Sequence, residues 1–274
     1  MIYIIKISAI ILLISFTQVA HCQKNTGIVT VAENFSKVIA FTKQPYLYYK
    51  TITKMNAIPV FEQGDTATLT GEFFKYKDDF YSNNGMEEIY VQDSFLVHVN
   101  HEHKSIWISK VDIASKKRMD MLPVTTKQLQ VLILKNYATT QKVLNDSISR
   151  VDFSANEKNN NKATATSFGI EYNSKSFLPN AIEIKAKIRQ VLEDELLTTL
   201  DNEHIDSHKL FEVIGGIKFL VRTQEMYVAF SDINNTKEVA KNMPSWKAVL
   251  EYDLIQNEFK STLSYTGYEV TATF

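Results

Sequence analysis

Short runs of alternating hydrophobic and polar residues between positions 65 and 111 predict a meander of short β-strands. The alternation is clearest in runs that read TATLTGEF, EIYVQ, FLVHVN and SIWIS. A period of two places the two sets of side chains on opposite faces of a pleated strand. Asp, Asn, Ser and Gly residues separate the runs, and these residues tolerate turn dihedrals or satisfy the turn's own backbone groups.

Helical spacing before the meander predicts a first amphipathic helix. Thr30 and Glu33 have the spacing of a capping box, in which the two side chains satisfy reciprocal backbone donors. The apolar stripe of this helix consists of Val31, Phe35, Val38 and Ile39. The spacing predicts a helix from about residue 31 to 42, which Pro45 ends.

A second amphipathic helix is predicted after the meander, again from a capping box and an apolar stripe. The sequence TTKQ at 125–128 provides the capping box. The apolar stripe consists of Leu129, Leu132 and Ile133. The helix is predicted to run from Thr126 to about Thr139.

Further strands are predicted from β-branched, aromatic and alternating residues. They occupy about 46–54, 147–155, 163–172, 181–188, 217–230, 246–252 and 264–274. Gly215 and Gly216 break the chain before 217–230, which fits one long strand or a hairpin. Residues 237–242 fit one helical turn, whereas 193–200 and 210–214 fit either a strand or a helix.

The first 22 residues have the pattern of a secretory signal peptide. Lys6 is the only charge among the first 20 residues, an apolar run follows it, and Ala20 and Cys22 place small residues before the cleavage site. We expect cleavage after Cys22 and a mature protein in the periplasm or outside the cell. Two alternatives stay open, lipidation of Cys22 or an uncleaved anchor, and either would hold the chain at a membrane.

Charge and cysteine content exclude several classes of protein. Without Lys6 the chain has 29 basic and 31 acidic residues, so its formal charge changes from −1 to −2. This balance, with a pI of about 6.6, argues against nucleic-acid binding. Cys22 is the only cysteine, so the mature chain has no disulfide framework. We expect residues 23–274 to form one domain, because a chain of this length can bury a self-sufficient core.

The histidines of the meander suggest metal binding by residue type but not by arrangement. His98, His101 and His103 surround one turn together with Glu102. Imidazole and carboxylate groups are good ligands for zinc or copper. Strand alternation, however, points His101 and His103 away from His98. We therefore expect a solvated hairpin tip and assign no metal.

Other candidate chemistry is equally unspecific. His204 and His208 have the spacing of neighbours on one helical face, without a zinc motif around them. Asp78-Asp79 and Glu87-Glu88 lie at predicted turns and strand edges, where we expect solvated charges. No cofactor and no catalytic residue is assigned. A hydrolase stays open as the third function, because a glycosidase needs only two carboxylates that the fold brings together.

Aromatic residues are crowded into one part of the meander. They place apolar bulk on both faces and comprise Phe73, Phe74, Tyr76, Phe80 and Tyr81. Such a strand is either buried on both sides or lines an apolar cavity with one face. Both possibilities stay open.

Taken in order, these elements resemble the LolA/LolB-like superfamily of periplasmic lipoprotein carriers, over roughly residues 28–190. The resemblance lies in the first helix and strand, the second capped helix, and the segments GEFFKY, IYVQD, HVN, KSIWI, FGIEY and LPNAIEI. It implies a mainly β (α+β) fold, with a curved antiparallel sheet, or half-barrel, and two amphipathic helices packed on its concave side. Additional C-terminal strands extend this fold from about residue 190. We find no counterpart of the arginine that latches the helices in that superfamily.

The resemblance also implies a function, because members of that superfamily hold acyl chains between sheet and helices. Here it implies an exported, non-enzymatic protein that binds a lipid or an acylated protein, with membrane contact that is peripheral at most. The alternative is a structural or adaptor subunit of a cell-envelope complex, with a filled core and a protein partner. The implied cavity residues are Phe35, Val38, Ile39, Leu69, Phe73, Ile89, Val91, Val97, Val99, Leu129, Leu132 and Ile133.

Overall fold

A computed structural model describes residues 26–60, 65–112, 136–156, 165–191 and 211–274. The predicted signal peptide, the start of the second helix and the segment 193–200 lie outside these ranges. So do the predicted cavity residues Leu129, Leu132 and Ile133, and the histidine pair His204 and His208.

The described chain begins with helix α1 (Thr26–Ala40), which continues into a 3-10 helix at Phe41–Lys43. The strands among the described residues are β1 (Tyr46–Ile58), β2 (Thr66–Tyr76), β3 (Asp79–Asn83), β4 (Glu87–Gln92), β5 (Phe95–Asn100), β6 (Ser105–Lys110), β7 (Tyr137–Val143), β8 (Ile148–Ala155), β9 (Ala165–Asn173), β10 (Pro179–Val191), β11 (Phe211–Ile214), β12 (Ile217–Asn234), β13 (Leu250–Asp253), β14 (Glu258–Ser261) and β15 (Glu269–Thr273). Short 3-10 helices lie at Lys237–Asn242, Trp246–Ala248 and Leu263–Tyr265.

One large, curved and unclosed sheet contains 13 of the described strands. Its order is β15-β6-β5-β4-β3-β2-β1-β12-β10-β9-β8-β7, with β11 paired to β12, while β13 and β14 form a separate hairpin. The predicted mainly β class with a curved, open sheet is confirmed. One pairing departs from the antiparallel pattern, because β15 runs parallel to β6.

The predicted meander is confirmed as strands β2 to β6, each antiparallel to the next. Its turns are made by the polar residues that the sequence provides. Asp93 and Lys104 adopt positive φ angles of 53° and 46°. The side chain of Asn84 accepts hydrogen bonds from the backbone N–H groups of Met86 and Glu87. These local contacts are the reason that alternation alone located the strands.

Helix α1 begins earlier than predicted. Its first described residue is Thr26, so Thr30 lies inside the helix and the predicted capping box does not mark its start. The C-terminal end agrees better, because the 3-10 helix leads into the extended chain at Pro45. The predicted stripe is buried at Phe35 and Val38.

The predicted end of the second helix is wrong. The prediction extended it to about Thr139, but Tyr137–Val143 is strand β7, paired with β8 from Tyr137–Ala155 onward. Tyr137 and two adjacent threonines favour a strand at this position. The pairing with a long neighbouring strand decides the conformation.

The C-terminal strands are partly as predicted. Residues 217–234 form one strand, β12, which lies at the centre of the sheet between β1 and β10. The strand predicted at 246–252 begins instead with a 3-10 helix, because the Ser245 side chain accepts from the N–H of Lys247 and starts a turn. In the predicted strand 264–274 only Glu269–Thr273 is extended and paired.

The register of the strands separates two faces of the sheet. We name the face against which α1 packs the inner face, and the opposite one the outer face. We name residues 235–274 the C-terminal segment. It covers the outer face of β2–β6, where a buried cluster joins Val97 and Ile108 of the sheet to Trp246 and Leu250 of the segment. A second cluster lies between α1 and the inner face of β7–β10.

Candidate functional site

Helix α1 packs its apolar stripe on the inner face of the sheet. The ring of Phe35 lies 4.9 Å from that of Phe153 and 6.0 Å from that of Phe168, and these two rings stack at 4.2 Å. Val38 is buried in the same cluster, and Ile39 packs against it. The predicted cavity residues Phe35, Val38 and Ile39 therefore lie between the helix and the sheet.

A row of aromatic rings extends this apolar surface across the middle of the inner face. The ring of Tyr49 lies 5.4 Å from Phe230 and 5.1 Å from Phe73, and Phe73 lies 6.0 Å from Phe80. Phe41, just after α1, contacts Tyr49 at 5.6 Å. Burial among these rings raises the pKa of Tyr49 well above its usual range.

Four predicted cavity residues of the meander share this inner face. Leu69 and Phe73 alternate along β2, and Phe73 lies opposite Ser82, which in turn lies opposite Ile89 of β4. Val91 lies two residues beyond Ile89 and is fully buried. These side chains continue the apolar surface from the aromatic row toward β5.

Val97 and Val99 do not belong to this group. Val97 lies opposite Tyr90, so both valines point to the outer face, where the C-terminal segment covers them. Both faces of β4 and β5 carry apolar residues, so alternation separates two sets without showing which set faces inward. The prediction that Val97 and Val99 share a face with Val91 is wrong for this physical reason.

The inner face ends in polar residues on β4, β5 and β6. The side chain of Glu87 is 10% exposed, and its Oε1 lies 3.5 Å from His98 Nε2. Asn100 Nδ2 donates to the same Oε1 over 3.4 Å. Trp107 lies opposite His98 on β6, and its indole N–H donates to Thr273 Oγ1 at 2.7 Å. A carboxylate and an imidazole thus meet at the edge of the apolar surface, with an indole on the next strand.

Two cations are also buried on the inner face. Lys75 Nζ donates to the backbone carbonyl of Thr42 at 3.4 Å. The Arg222 guanidinium donates to the carbonyl of Pro59 at 3.0 and 3.2 Å and pairs with Asp65. Both cations therefore tie loops to the ends of strands.

The outer face carries a buried carboxylate that the sequence did not single out. Glu88 Oε2 accepts from the hydroxyls of Tyr81 and Tyr90, and Oε1 accepts from Tyr265 of the C-terminal segment at 2.8 Å. His101 Nε2 lies 2.9 Å from the same Oε1. Burial, together with the Glu88 carboxylate, raises the pKa of Tyr265 to about 12. Burial raises the pKa values of Tyr81 and Tyr90 even further.

This network corrects two predictions. His101 is not part of a solvated hairpin tip, because its Nδ1 also contacts the Tyr268 hydroxyl at 2.8 Å. Glu87 and Glu88 are not solvated charges, since both are buried. Tyr265 and Tyr268 lie more than 160 positions away from their partners. No local pattern could have indicated these contacts.

Glu87 and Glu88 point to opposite faces and therefore do not form a catalytic carboxylate pair. Among the described residues, no group of three or more His, Cys, Asp or Glu side chains is placed to hold a metal ion. In the same ranges, no helix has the length and apolar character needed to cross a membrane.

The outer face of β8–β10 carries an ion-pair network instead of an apolar cluster. Arg150 donates to Asp152 at 2.6 Å, to Glu171 at 2.9 Å and to Glu183 at 2.7 Å. These three carboxylates raise the pKa of Arg150, although desolvation opposes them. Lys185 extends the network across β10 and β12. This part of the outer face offers no apolar surface.

The known structures that align with this chain include LolA-type proteins. A LolA superfamily protein from Nitrosomonas europaea matches 78% of this chain and 97% of its own, with 9% identity and a TM-score of 0.28. A putative outer membrane lipoprotein-sorting protein domain from Vibrio parahaemolyticus matches 78% of this chain and 98% of its own, with 10% identity and a TM-score of 0.27.

A chain of the Pseudomonas aeruginosa MucA/MucB complex is a further match, over 75% of this chain and 56% of its own, with 8% identity and a TM-score of 0.32. No model of a protein family matches the sequence, and no curated protein is significantly similar to it.

Proposed function

We propose that this protein is an exported, non-enzymatic carrier that holds a lipid, or the acyl chains of a lipid-modified partner, on the inner face of its sheet. The observation that carries the proposal is the apolar surface between Phe153 under α1 and Phe80 on β3, linked through the Tyr49 and Phe73 rings. Burial of an acyl chain on such a surface contributes about 0.8 kcal/mol per methylene. Binding of this strength is substantial yet reversible.

The two parts of the outer face support the choice of the inner face. The C-terminal segment fills the outer face of β2–β6. Arg150 and its carboxylates occupy the outer face of β8–β10. Acyl chains bind surfaces from which water is easily displaced, and neither of these areas offers one.

The location of the protein is part of the proposal. The apolar N-terminal run and the small residues before Gln23 support export, with removal of residues 1–22 near Cys22. A carrier in the periplasm would meet lipids and lipoproteins that must cross water. Lipidation of Cys22 would instead fix the protein to a membrane, and mass spectrometry of the mature N-terminus distinguishes the two.

Native purification tests the carrier function directly. We expect native mass spectrometry of protein from the cell envelope to show a bound lipid, and a fluorescent fatty acid to bind the delipidated protein. Leu69→Gln on the inner face should weaken probe binding by about tenfold, because it removes apolar contact area. Thr70→Gln is the matched control, since Thr70 is exposed on the other face of the same strand. A protein that retains no lipid and binds no probe is not a carrier.

A further inference from the structure

Glu87 is a buried carboxylate whose described contacts are all long. Its side chain is 10% exposed, and its partners are Asn100 Nδ2 at 3.4 Å and His98 Nε2 at 3.5 Å. Charge-assisted hydrogen bonds to carboxylates are typically about 2.7–2.9 Å long. A buried charge without a close partner is costly. Glu87 is therefore placed to accept a cation that approaches between these groups.

His98 offers a second acceptor at the same point. Its Nε2 is buried and makes no hydrogen bond within the described part of the chain. In the neutral tautomer with the proton on Nδ1, Nε2 is a hydrogen-bond acceptor. Nε2 and Glu87 Oε1 are 3.5 Å apart, so an ammonium nitrogen about 2.8 Å from both would bridge them once the atoms that cover the buried Nε2 move aside.

Trp107 lies next to this corner on the neighbouring strand. It lies opposite His98 on the same face, is 39% exposed, and is oriented by its hydrogen bond to Thr273. Its fluorescence can therefore report a ligand that binds on the neighbouring strand.

The corner adjoins the apolar surface. Ile89 and Val91 follow Glu87 on the same face of β4, and successive residues on one face are about 6.6 Å apart. A ligand with an ammonium at Glu87 would thus direct an attached acyl chain over Ile89, which is partly exposed. We infer that Glu87 and His98 bind the primary ammonium of a lipid head group, an inference that rests on the proposed carrier function.

A metal ion fits this corner less well. One carboxylate and one imidazole are too few protein ligands for a zinc site, and no larger ligand group exists among the described residues. A plain ion pair between Glu87 and protonated His98 would need no ligand. Such an ion pair predicts equal binding of the two lysolipids in the experiment below.

Two lysolipids with the same acyl chain separate the head group from the tail. Lysophosphatidylethanolamine carries the ammonium, whereas lysophosphatidylglycerol does not. Trp246→Phe leaves Trp107 as the one tryptophan, because the sequence contains two. Quenching or enhancement of its fluorescence then reports binding at this corner. We expect the ethanolamine lipid to bind at least about tenfold more tightly.

Glu87→Gln should abolish this preference and leave the affinity for lysophosphatidylglycerol unchanged. Glu102→Gln is the matched control, because Glu102 is exposed in the next turn. His98→Leu should also reduce the preference, and it serves as the second variant should Glu87→Gln not fold. Equal affinity for both lysolipids, unchanged by either variant, would overturn the head-group site and leave the carrier function standing. If neither lysolipid binds, the carrier function itself fails.

Discussion

The backbone carbonyl of Asn83 lies directly over Gly71. A Cβ atom at position 71 would be 2.7 Å from the Asn83 oxygen and 2.9 Å from Thr51 Oγ1. The end of β3 therefore lies against β2 at a residue that has no side chain.

Gly71→Ala is expected to lower the free energy of unfolding by about 2 kcal/mol, because backbone atoms of the turn must move to admit the methyl group. Urea unfolding measures the loss. Gly169→Ala is the comparison, since the atoms close to that position are the ends of the Arg150 and Asp152 side chains, which can shift. Equal losses for the two variants would contradict the backbone clash at Gly71.

Glu88→Ala should lower the free energy of unfolding more than Gly71→Ala does. It would leave the hydroxyls of Tyr81, Tyr90 and Tyr265 without their shared acceptor, which we expect to cost about 3 kcal/mol of unfolding free energy. Glu88→Gln keeps one acceptor oxygen and should cost less. Chemical denaturation of both variants checks the order, and a Gln variant as unstable as the Ala variant would argue against the network.

Alkaline pH should destabilise the protein through Tyr265. Its pKa is raised from 10.0 to about 12 in the folded state, so the folded state holds this proton more tightly than the unfolded state does. The stabilisation is fully present below pH 10 and is lost as the pH rises to about 12. Tyr265→Phe should therefore flatten the decrease of unfolding free energy over this range.

Unfolding curves at several alkaline pH values measure this difference. Tyr227→Phe, at an exposed ring, controls for the loss of one hydroxyl. The prediction fails if the wild type and Tyr265→Phe lose stability in parallel.

Gln92 should control how firmly the C-terminal segment is held. Its side-chain amide donates to the backbone carbonyl of Pro244. Its Oε1 accepts from the backbone N–H of Trp246 at 3.1 Å. Gln92→Ala removes both hydrogen bonds and leaves a buried N–H unsatisfied, so we expect faster proteolysis within residues 235–274 and a loss of about 2 kcal/mol. Gln256→Ala, in an exposed turn, should leave the cleavage rate as in the wild type.

Phe35 should be the main contact between α1 and the sheet. Phe35→Ala would open a cavity against Phe153 and Phe168 and lower the unfolding free energy by about 3 kcal/mol. Thermal and urea unfolding measure the effect. Glu33→Ala, at an exposed position of the same helix, should change stability little. Comparable effects of the two variants would mean that α1 is not anchored by its apolar stripe.

The meander could be predicted from the sequence because its strands are short, alternate in polarity and are joined by turns with local hydrogen bonds. Asn84, for example, satisfies the turn after β3 through its own side chain. Helix α1 could be predicted for a similar reason, since Phe35 and Val38 mark one face at helical spacing. Both features depend on residues close together in the chain.

The faces of β4 and β5 could not be predicted, because apolar residues occur on both. Val91 faces inward and Val97 outward, yet both are fully buried. The burial of Val97 depends on the C-terminal segment, which is distant in sequence. The prediction that Glu88 is a solvated charge failed for the same reason. A glutamate beside a turn resembles a solvated charge, and Tyr265, which covers it, is distant in sequence.

The pairing of β1 with β12 has a consequence for how the chain reaches its native state. Ile52 lies opposite Ala229, so the middle of the sheet joins stretches that are synthesised far apart in time. Topologies dominated by such non-local pairs fold slowly. The export proposed above requires a polypeptide that stays unfolded until it has passed a translocation channel, and slow formation of the β1–β12 pairing keeps the chain unfolded for longer.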